Sequence, residues 1–392
     1  MRKLNSIELF AGAGGLAIGL HDAGFSPKAL IELNKDACQT IRSNKIFRFG
    51  EGLYEGNVAE FDYLSISETI DLISGGPPCQ PFSLGGKAKG YNDSRDMFSE
   101  AVRAIREKKP RAFVFENVKG LLRKNFFEYF QYIILQLQHP SIEKNSAEDW
   151  RNHRSRLERH HTQYAHTELE YNVLYRLVNA ADYGVPQKRE RVFIVGFRTD
   201  INAKWSFPKK THSEDALLWA KWVTNEYWEK HKIETPKKND GEIKAAQALI
   251  AKYGMFQPEE KPWVTVRDAL LDLPDPKSPH AKLYNHHEFK DGAKIYPGHT
   301  GSYIDDPSKA IKAGGHGVPG GENMLRFENG DVRYFTVRES ARIQSFPDTF
   351  EFHGAWGEVM RQLGNAVPAE LSRIVGQSIF QALVSSLNCD SN

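Results

Sequence analysis

The chain has 392 residues, 40% of them hydrophobic, and a formal net charge of +2 at pH 7. That length suggests two domains with a sizeable core, and the near-neutral charge requires any nucleic-acid partner to meet locally segregated charge. Three cysteines, at 38, 79 and 389, exclude a disulfide framework and a zinc cluster of cysteines. No run approaches about 18 apolar residues, so neither a membrane span nor a signal peptide is expected, and the setting is read as reducing and cytoplasmic.

In chain order, residues 6–10 form the first short apolar run, predicted as a buried strand. It leads into Phe10-Ala-Gly-Ala-Gly-Gly15 and then into helical spacing over 15–23. Small residues there let a ligand approach the backbone and the helix N-terminus, although a plain tight turn fits equally well. A second strand, 29–33, and a helix, 35–44, follow. Glu32 stands about 20 residues beyond the glycine turn, where an acid in such folds bonds ribose hydroxyls. Together they point to an adenosine-containing cofactor, and the absence of Gly-x-Gly-x-x-Gly disfavours nicotinamide.

A strand at 71–74 runs into Gly75-Gly-Pro-Pro-Cys-Gln-Pro-Phe-Ser83. Prolines on both sides of Cys79 stiffen the backbone and fix the direction of the thiol, while an inert buried cysteine is the competing reading. Helical spacing at 97–107 precedes a strand at 112–116 that ends on Glu116 and Asn117. Burial there would raise the pKa of Glu116 and make it a proton donor; a glutamate satisfied by backbone fits as well. Residues 144–166 are polar and crowded with Arg151, Arg154, Arg156, Arg159, His160 and His161, predicted as a solvated helix or loop, with nucleic-acid backbone contact the lesser reading.

Residues 171–178 and 191–197, joined through a Gly-Val-Pro turn, are predicted as antiparallel edge strands. Arg189 and Arg191 alternate along extended chain and so project the same way, suited to holding a carbonyl or phosphate, or to a charged strand edge. From about residue 208 to 335 the pattern degrades into lysine-, tryptophan- and proline-rich pieces, expected to be irregular and loop-rich. Thr336-Val-Arg-Glu339 has capping-box spacing and predicts a helix through Gln344. A last helix begins near Pro368, with Leu371, Ile374, Val375, Ile379 and Leu383 as an apolar stripe that must pack on the sheet of the first domain.

Six segments in order resemble the DNA cytosine-5 methyltransferases of bacterial restriction–modification systems. They are Phe10–Gly15, Gly76–Ser83, Glu116–Val118, Gln187–Arg191, Arg338-Glu-Ser-Ala-Arg-Ile-Gln-Ser-Phe-Pro347 and Gly364-Asn-Ala-Val-Pro368. The resemblance covers almost all of the chain outside 208–335. It implies an α/β fold: a Rossmann-like S-adenosylmethionine-dependent domain with a mostly parallel sheet (1–205 and 355–392) and a smaller, irregular target-recognition domain (206–354). The implied activity is methyl transfer to carbon 5 of a cytosine in a specific double-stranded DNA sequence, by base flipping and covalent cysteine catalysis.

Carried over by position, Cys79 is the nucleophile, Glu116 the acid, and Arg189 and Arg191 hold the substrate. The cofactor pocket falls on Phe10, Gly12, Gly14, Gly15, Glu32, Leu33, Asn57, Val58, Pro78, Asn365 and Ala366. DNA contacts are expected from Gln80, Ser83, Lys87, Lys89 and Arg95 in a glycine-rich basic loop, and from Lys312, His316 and Arg326 in the recognition region. Two positions depart from the family pattern: Asn57 stands where an aspartate usually accepts from adenine, and Asp93-Ser-Arg-Asp96 is one residue short. No metal is expected, and a monomer in the bacterial cytoplasm is. The rivals are a transfer-RNA cytosine-5 methyltransferase, a catalytically silent DNA-binding relative and a thiol hydrolase.

Overall fold

The computed structural model describes residues 3–47, 52–78, 97–163, 168–297, 299–313 and 323–389. The first half alternates strand and helix: β1 (Leu4–Leu9), α1 (Gly15–Asp22), β2 (Phe25–Glu32), α2 (Lys35–Ser43), β3 (Leu53–Glu55), β4 (Leu72–Gly75), α3 (Phe98–Lys108), β5 (Ala112–Val118), α4 (Phe127–Gln138), α5 (Trp150–Thr162), β6 (Tyr171–Asn179), β7 (Gln187–Lys188) and β8 (Glu190–Arg198). Seven of these strands make one sheet in the order β3-β2-β1-β4-β5-β8-β6. Pairs from β3 to β5 are parallel, and β8 runs antiparallel to both β5 and β6. The expected mostly parallel α/β sheet is therefore present.

One expectation fails: β6 is an edge strand, but β8 is interior. Its side chains explain why. Val192 and Ile194 join the core formed with α3, α4 and α5, whereas Phe193 and Val195 join the core on the opposite face. A strand covered on both faces carries an unbroken apolar run, and that run belongs inside a sheet. β5 divides in the same way, with Phe113 and Phe115 on one side and Ala112 and Val114 on the other.

The second half continues with β9 (His212–Ser213), α6 (Glu214–Trp222), α7 (Glu226–His231), α8 (Asp240–Tyr253), β10 (Lys261–Pro262), α9 (Val266–Leu270), β11 (Ser302–Tyr303), β12 (Ser308–Lys309), β13 (Met324–Arg326), β14 (Val332–Tyr334), α10 (Val337–Ile343), α11 (Trp356–Asn365) and α12 (Ala369–Cys389). The expectation of loop-rich structure over 208–335 is corrected by α6, α7 and α8. Ser213 caps α6, and a capping box between Asn239 and Glu242 opens α8. Trp222, Tyr227, Trp228 and Trp263 close over them as a separate aromatic core. The tryptophan-rich sequence is thus core and not irregular chain.

The predicted capping box of α10 forms: Thr336 Oγ1 accepts from the Glu339 N–H at 3.1 Å, and the Glu339 carboxylate accepts from the Thr336 N–H at 2.9 Å. The predicted stripe on α12 also packs as expected. Leu371, Val375, Ile379 and Leu383 bury with Leu16 and Leu20 of α1 and with Leu4, Leu72, Ala112 and Val114 of the sheet, so the chain returns to its first domain. Fully burying each such side chain contributes roughly 1.5–3 kcal/mol. Residues 144–166 include helix α5, which buries Trp150, His153 and Leu157 on one face, while its Arg154 and Arg156 pair with Glu158 and Glu148 at 2.9 Å each. No helix of the described residues is long and apolar enough to cross a membrane.

Candidate functional site

Strand order locates the site. The chain lays β2 and β3 outward from β1, then returns to place β4 on the other side of β1. Loops leaving β1 and β4 diverge at that switch point, and open α/β sheets bind ligands in the resulting crevice beyond the carboxyl ends of the strands. A cavity of about 1180 Å³ lies there, lined from the ends of β1, β2, β4 and β5, the turn after β3, and α11.

Its first wall is built from the turn after β1. Phe10 adopts a left-handed φ of 57°, rare for a residue with a side chain and a mark of constrained backbone at a site. Gly12 follows at φ 56°, and its N–H donates to Glu32 Oε2 at 2.7 Å. The other carboxylate oxygen of Glu32 accepts the Asn34 N–H, also at 2.7 Å. Each oxygen keeps a further lone pair directed toward a ligand. Leu33 also lines the cavity and is a 68% exposed apolar residue. Gly15, Asn57, Val58, Pro78, Asn365 and Ala366 complete this wall. A side chain at Gly15 would put a Cβ 2.4 Å from the Val367 carbonyl, which explains the need for glycine.

Asn57 Oδ1 accepts from the Ala59 N–H at 3.1 Å and so caps the short turn that begins at Val58. One of its carbonyl lone pairs is engaged and one is left for a ligand. Gly14, expected from sequence in the cofactor pocket, does not line the cavity. It sits at φ 84° beside the Phe47 ring, and a Cβ there would lie 2.3 Å from that ring. Its role is to let α1 begin.

The second wall carries the reactive groups. Pro78 and Met97, which flank residues 79–96, both line the cavity, and the Met97 N–H donates to the Pro78 carbonyl at 3.3 Å. Asn117 Nδ2 donates to the Pro77 carbonyl at 2.9 Å and fixes the approach to this segment. Cys79, Gln80, Ser83, Lys87, Lys89 and Arg95 follow Pro78 and lie outside the described residues.

Glu116 and Arg191 meet in the cavity. Glu116 pairs with Phe193 across β5 and β8, and Val118 pairs with Arg191, so the two side chains are diagonal neighbours on one sheet face. Arg191 Nε lies 2.7 Å from Glu116 Oε1, an ion-pair contact whose N–H is not aligned as a hydrogen bond. Glu116 is 7% exposed. Burial pushes its pKa above the ordinary carboxylate value, against the opposing pull of Arg191 and, more weakly, of Arg189.

Arg189 does not join them. The expected alternation breaks because Arg189 sits between β7, which pairs with β12, and β8, which pairs with β5. Its fully buried guanidinium donates to the carbonyls of Ile311 at 2.9 Å, Gly364 at 2.7 Å and Ala366 at 3.0 Å. Two of those carbonyls bracket Asn365, so Arg189 fastens that part of the cavity wall and, contrary to the expectation from sequence, does not project into the cavity beside Glu116. A buried amide network supports it: Gln187 Nε2 donates to Gln344 Oε1 at 3.0 Å, and Gln344 Nε2 donates to the Leu363 carbonyl.

In the second half, Lys312 is exposed, with its backbone held by reciprocal 2.9 Å bonds to the Asn323 side chain. Arg326 stacks on Tyr303 with its guanidinium carbon 5.0 Å from the ring centre. His316 lies outside the described residues. Sequence reading passes over Glu8, which lines the cavity at 3% exposure, and whose pKa burial pushes up to about 8. A charged residue inside an apolar strand run is the available signal. It also misses Arg361 on α11, which lines the cavity while held by Glu358 at 2.6 Å.

Comparison with known proteins agrees with this geometry. The family model for C-5 cytosine-specific DNA methylases matches residues 4–140 and 149–381. The chain is 33% identical over 388 residues to the Type II methyltransferase M.PspPI of Psychrobacter sp. (strain TA137), covering 97% of this chain and 80% of the relative. It is 33% identical over 390 residues to the Type II methyltransferase M.NgoMIV of Neisseria gonorrhoeae, covering 97% and 98%. Among solved structures, the S. pombe Dnmt2 methyltransferase superposes with a TM-score of 0.58 at 17% identity, covering 98% of this chain and all of that one, a likeness of fold.

Proposed function

The chain belongs to the C-5 cytosine-specific DNA methylase family and is a DNA cytosine-5 methyltransferase of the restriction–modification type; within that activity, we propose that the cavity takes S-adenosylmethionine and that Cys79 is the nucleophile. The residues present fit that donor. Glu32 offers carboxylate lone pairs to ribose hydroxyls, exposed Leu33 and constrained Phe10 offer apolar surface to an adenine ring, and Asn57 keeps an acceptor for its amino group. Bound there, S-adenosylmethionine supplies an electrophilic methyl group.

Carbon 5 of cytosine is too weak a nucleophile to react unaided. Attack by the Cys79 thiolate on carbon 6 forms a carbon–sulfur bond and pushes electron density onto carbon 5 and ring nitrogen 3. Glu116, whose pKa burial raises, donates in its protonated form to nitrogen 3 and offsets the charge that develops there. Arg191 orients the Glu116 carboxyl and is placed to donate to the ring carbonyl. Once carbon 5 carries the transferred methyl group, loss of its proton to a base re-forms the 5,6 double bond, breaks the carbon–sulfur bond and releases the Cys79 thiolate. These atoms are hidden in stacked DNA, so the target cytosine must be turned out of the helix. Target choice is assigned to the 206–354 region, with the reading loops before α10, because α10 itself packs against Ala13 and Ile18 of the cofactor side.

The observation that carries this reading is one cavity lined by buried Glu116, its pKa raised, beside Arg191, together with Glu32 and Pro78. Bisulfite sequencing of DNA from cells expressing the chain tests it, reporting the atom and the sequence modified. A Cys79→Ser variant should bind S-adenosylmethionine in calorimetry with unchanged affinity and methylate nothing; turnover at the original rate would remove Cys79 from the mechanism. Methyl incorporation into transfer RNA in place of duplex DNA would favour the RNA reading.

A further inference from the structure

A cluster of histidines lies away from the cavity, where three elements end together. His139 caps the C-terminus of α4, His160 and His161 sit in the last turn of α5, and Glu170 immediately precedes β6. His139 Nδ1 is 3.6 Å and His160 Nε2 is 3.8 Å from the same oxygen, Glu170 Oε1. Both nitrogens are buried, and neither has a hydrogen-bond partner among the described residues. Buried polar atoms are nearly always satisfied, so two orphans facing one carboxylate ask for an explanation. Another histidine of the same helix shows the ordinary outcome: His153 bonds Tyr132 through Nδ1 at 2.9 Å and the Ile142 carbonyl through Nε2 at 2.8 Å.

We propose that His139, His160 and Glu170 bind a divalent transition-metal ion of the zinc class, with solvent in the fourth position. The three ligand atoms lie within 4.8 Å of one another. Metal–ligand bonds of about 2.0–2.1 Å in a tetrahedron separate ligands by about 3.3 Å, so the two contacts to Glu170 need only a few tenths of an ångström of closure. His139 Nε2 lies 3.1 Å from His161 Nδ1. If His139 Nε2 carries the proton and donates it, His139 Nδ1 presents its lone pair to the metal, the outer-shell arrangement that fixes a ligand tautomer.

Two neutral imidazoles and one carboxylate leave a site of charge +1 with a dication bound. The donor set of two nitrogens and one oxygen suits zinc, and disfavours calcium or magnesium, which prefer all-oxygen shells. The ion would tie the ends of α4 and α5 to the start of β6 and anchor the polar insertion on the core. This departs from the absence of metal expected from sequence, where the ligands are spread over 139, 160 and 170 and show no recognised spacing.

Zinc titration of the metal-stripped full chain by calorimetry tests the site, with thermal unfolding alongside. One equivalent should bind tightly and raise Tm, and a chelator should reverse the rise. His160→Gln should abolish that equivalent. The exposed outer-shell variant His161→Ala, which leaves the core intact, should weaken it by about 10- to 100-fold. Cobalt(II) substituted into the wild-type chain should give the strong visible absorption of a four-coordinate ion, a readout that stands even if His160→Gln does not fold. Zinc binding equal in wild type and His161→Ala, or cobalt absorption of the weak six-coordinate kind only, would overturn the proposal.

Discussion

Two buried carboxyls share one cavity and titrate in the same direction for the same first reason, loss of water, yet they bear on different measurements. In the proposed mechanism Glu116 works when protonated, so kcat should fall as pH rises through its elevated pKa. Glu116→Gln keeps an N–H donor but cannot titrate; it should lose about 10²-fold in kcat and lose that alkaline limb. A limb that survives the substitution unchanged belongs to another group, and the acid role would pass from Glu116. Glu8 bears instead on stability. The folded chain holds its proton up to about pH 8, while an ordinary glutamate releases it near 4.5. The folded state therefore binds more protons across that window, and stability falls as pH rises through it. Glu8→Gln should flatten the pH dependence of Tm between those limits and stabilise the ligand-free protein at pH 9, by on the order of a few kcal/mol. Denaturant titrations of both proteins at pH 5 and pH 9 check the sign. A variant less stable than wild type at pH 9 would show that Glu8 is charged and satisfied in the fold.

At the level of elements, the crossing of α1 and α12 joins the returning chain to the helix that opens the cofactor wall. Gly19 makes that crossing possible: a Cβ there would lie 2.3 Å from the Ala369 carbonyl and 2.4 Å from Ser372 Cβ. Gly19→Ala gains about 1 kcal/mol of helix propensity, but overpacking against backbone costs typically 1–3 kcal/mol, so Tm should fall. Gly357→Ala at the exposed start of α11 meets nothing within 4 Å and should raise Tm through the propensity gain alone. Opposite signs from one substitution would locate the effect in packing; two rises would mean that α12 can move aside. The same elements show what is legible in the sequence. Alternating apolar runs define the sheet, because strands buried on both faces have few other ways to read, and Thr336 with Glu339 announces α10 through a local bond pattern. Arg189 misleads because alternation assumes continuous strand, and the change of pairing partner between β7 and β8 is a tertiary fact. The helices α6 to α8 escape notice because their lysines mask apolar positions that only the aromatic cluster of Trp222, Trp228 and Trp263 makes plain. In the cofactor wall, Glu32 is readable from its distance to the glycine turn, whereas Glu8 needs the neighbouring strands to show that its face is closed.

Over the whole molecule, a net charge of +2 is small for a protein that must hold a polyanion. Many arginines are also committed internally: Arg103 to Glu100, Arg156 to Glu148, Arg333 to Glu339, Arg361 to Glu358 and Arg373 to Glu370, all at 2.9 Å or less. A guanidinium already neutralised by a carboxylate releases no counterion from DNA, so these pairs add little to affinity or to its salt dependence. Arg154 and Arg156 of α5 fall in that class, which makes its crowded basic sequence a poor guide to a DNA-binding face. Affinity for duplex DNA measured against salt concentration separates the two kinds of cation. Arg154→Gln with Arg156→Gln should leave the slope of log affinity against log salt unchanged. Lys87→Ala with Lys89→Ala should reduce its magnitude by about 2, one for each phosphate that a lysine no longer neutralises. A flattened slope in the α5 variant would mean that DNA displaces Glu158 and Glu148 from their arginines, and the duplex would then have to reach round to the face carrying α5. An unchanged slope there, with a reduced one for the lysines, would assign the phosphate contacts to the segment between Pro78 and Met97, both of which line the cavity that holds Glu116 and Arg191.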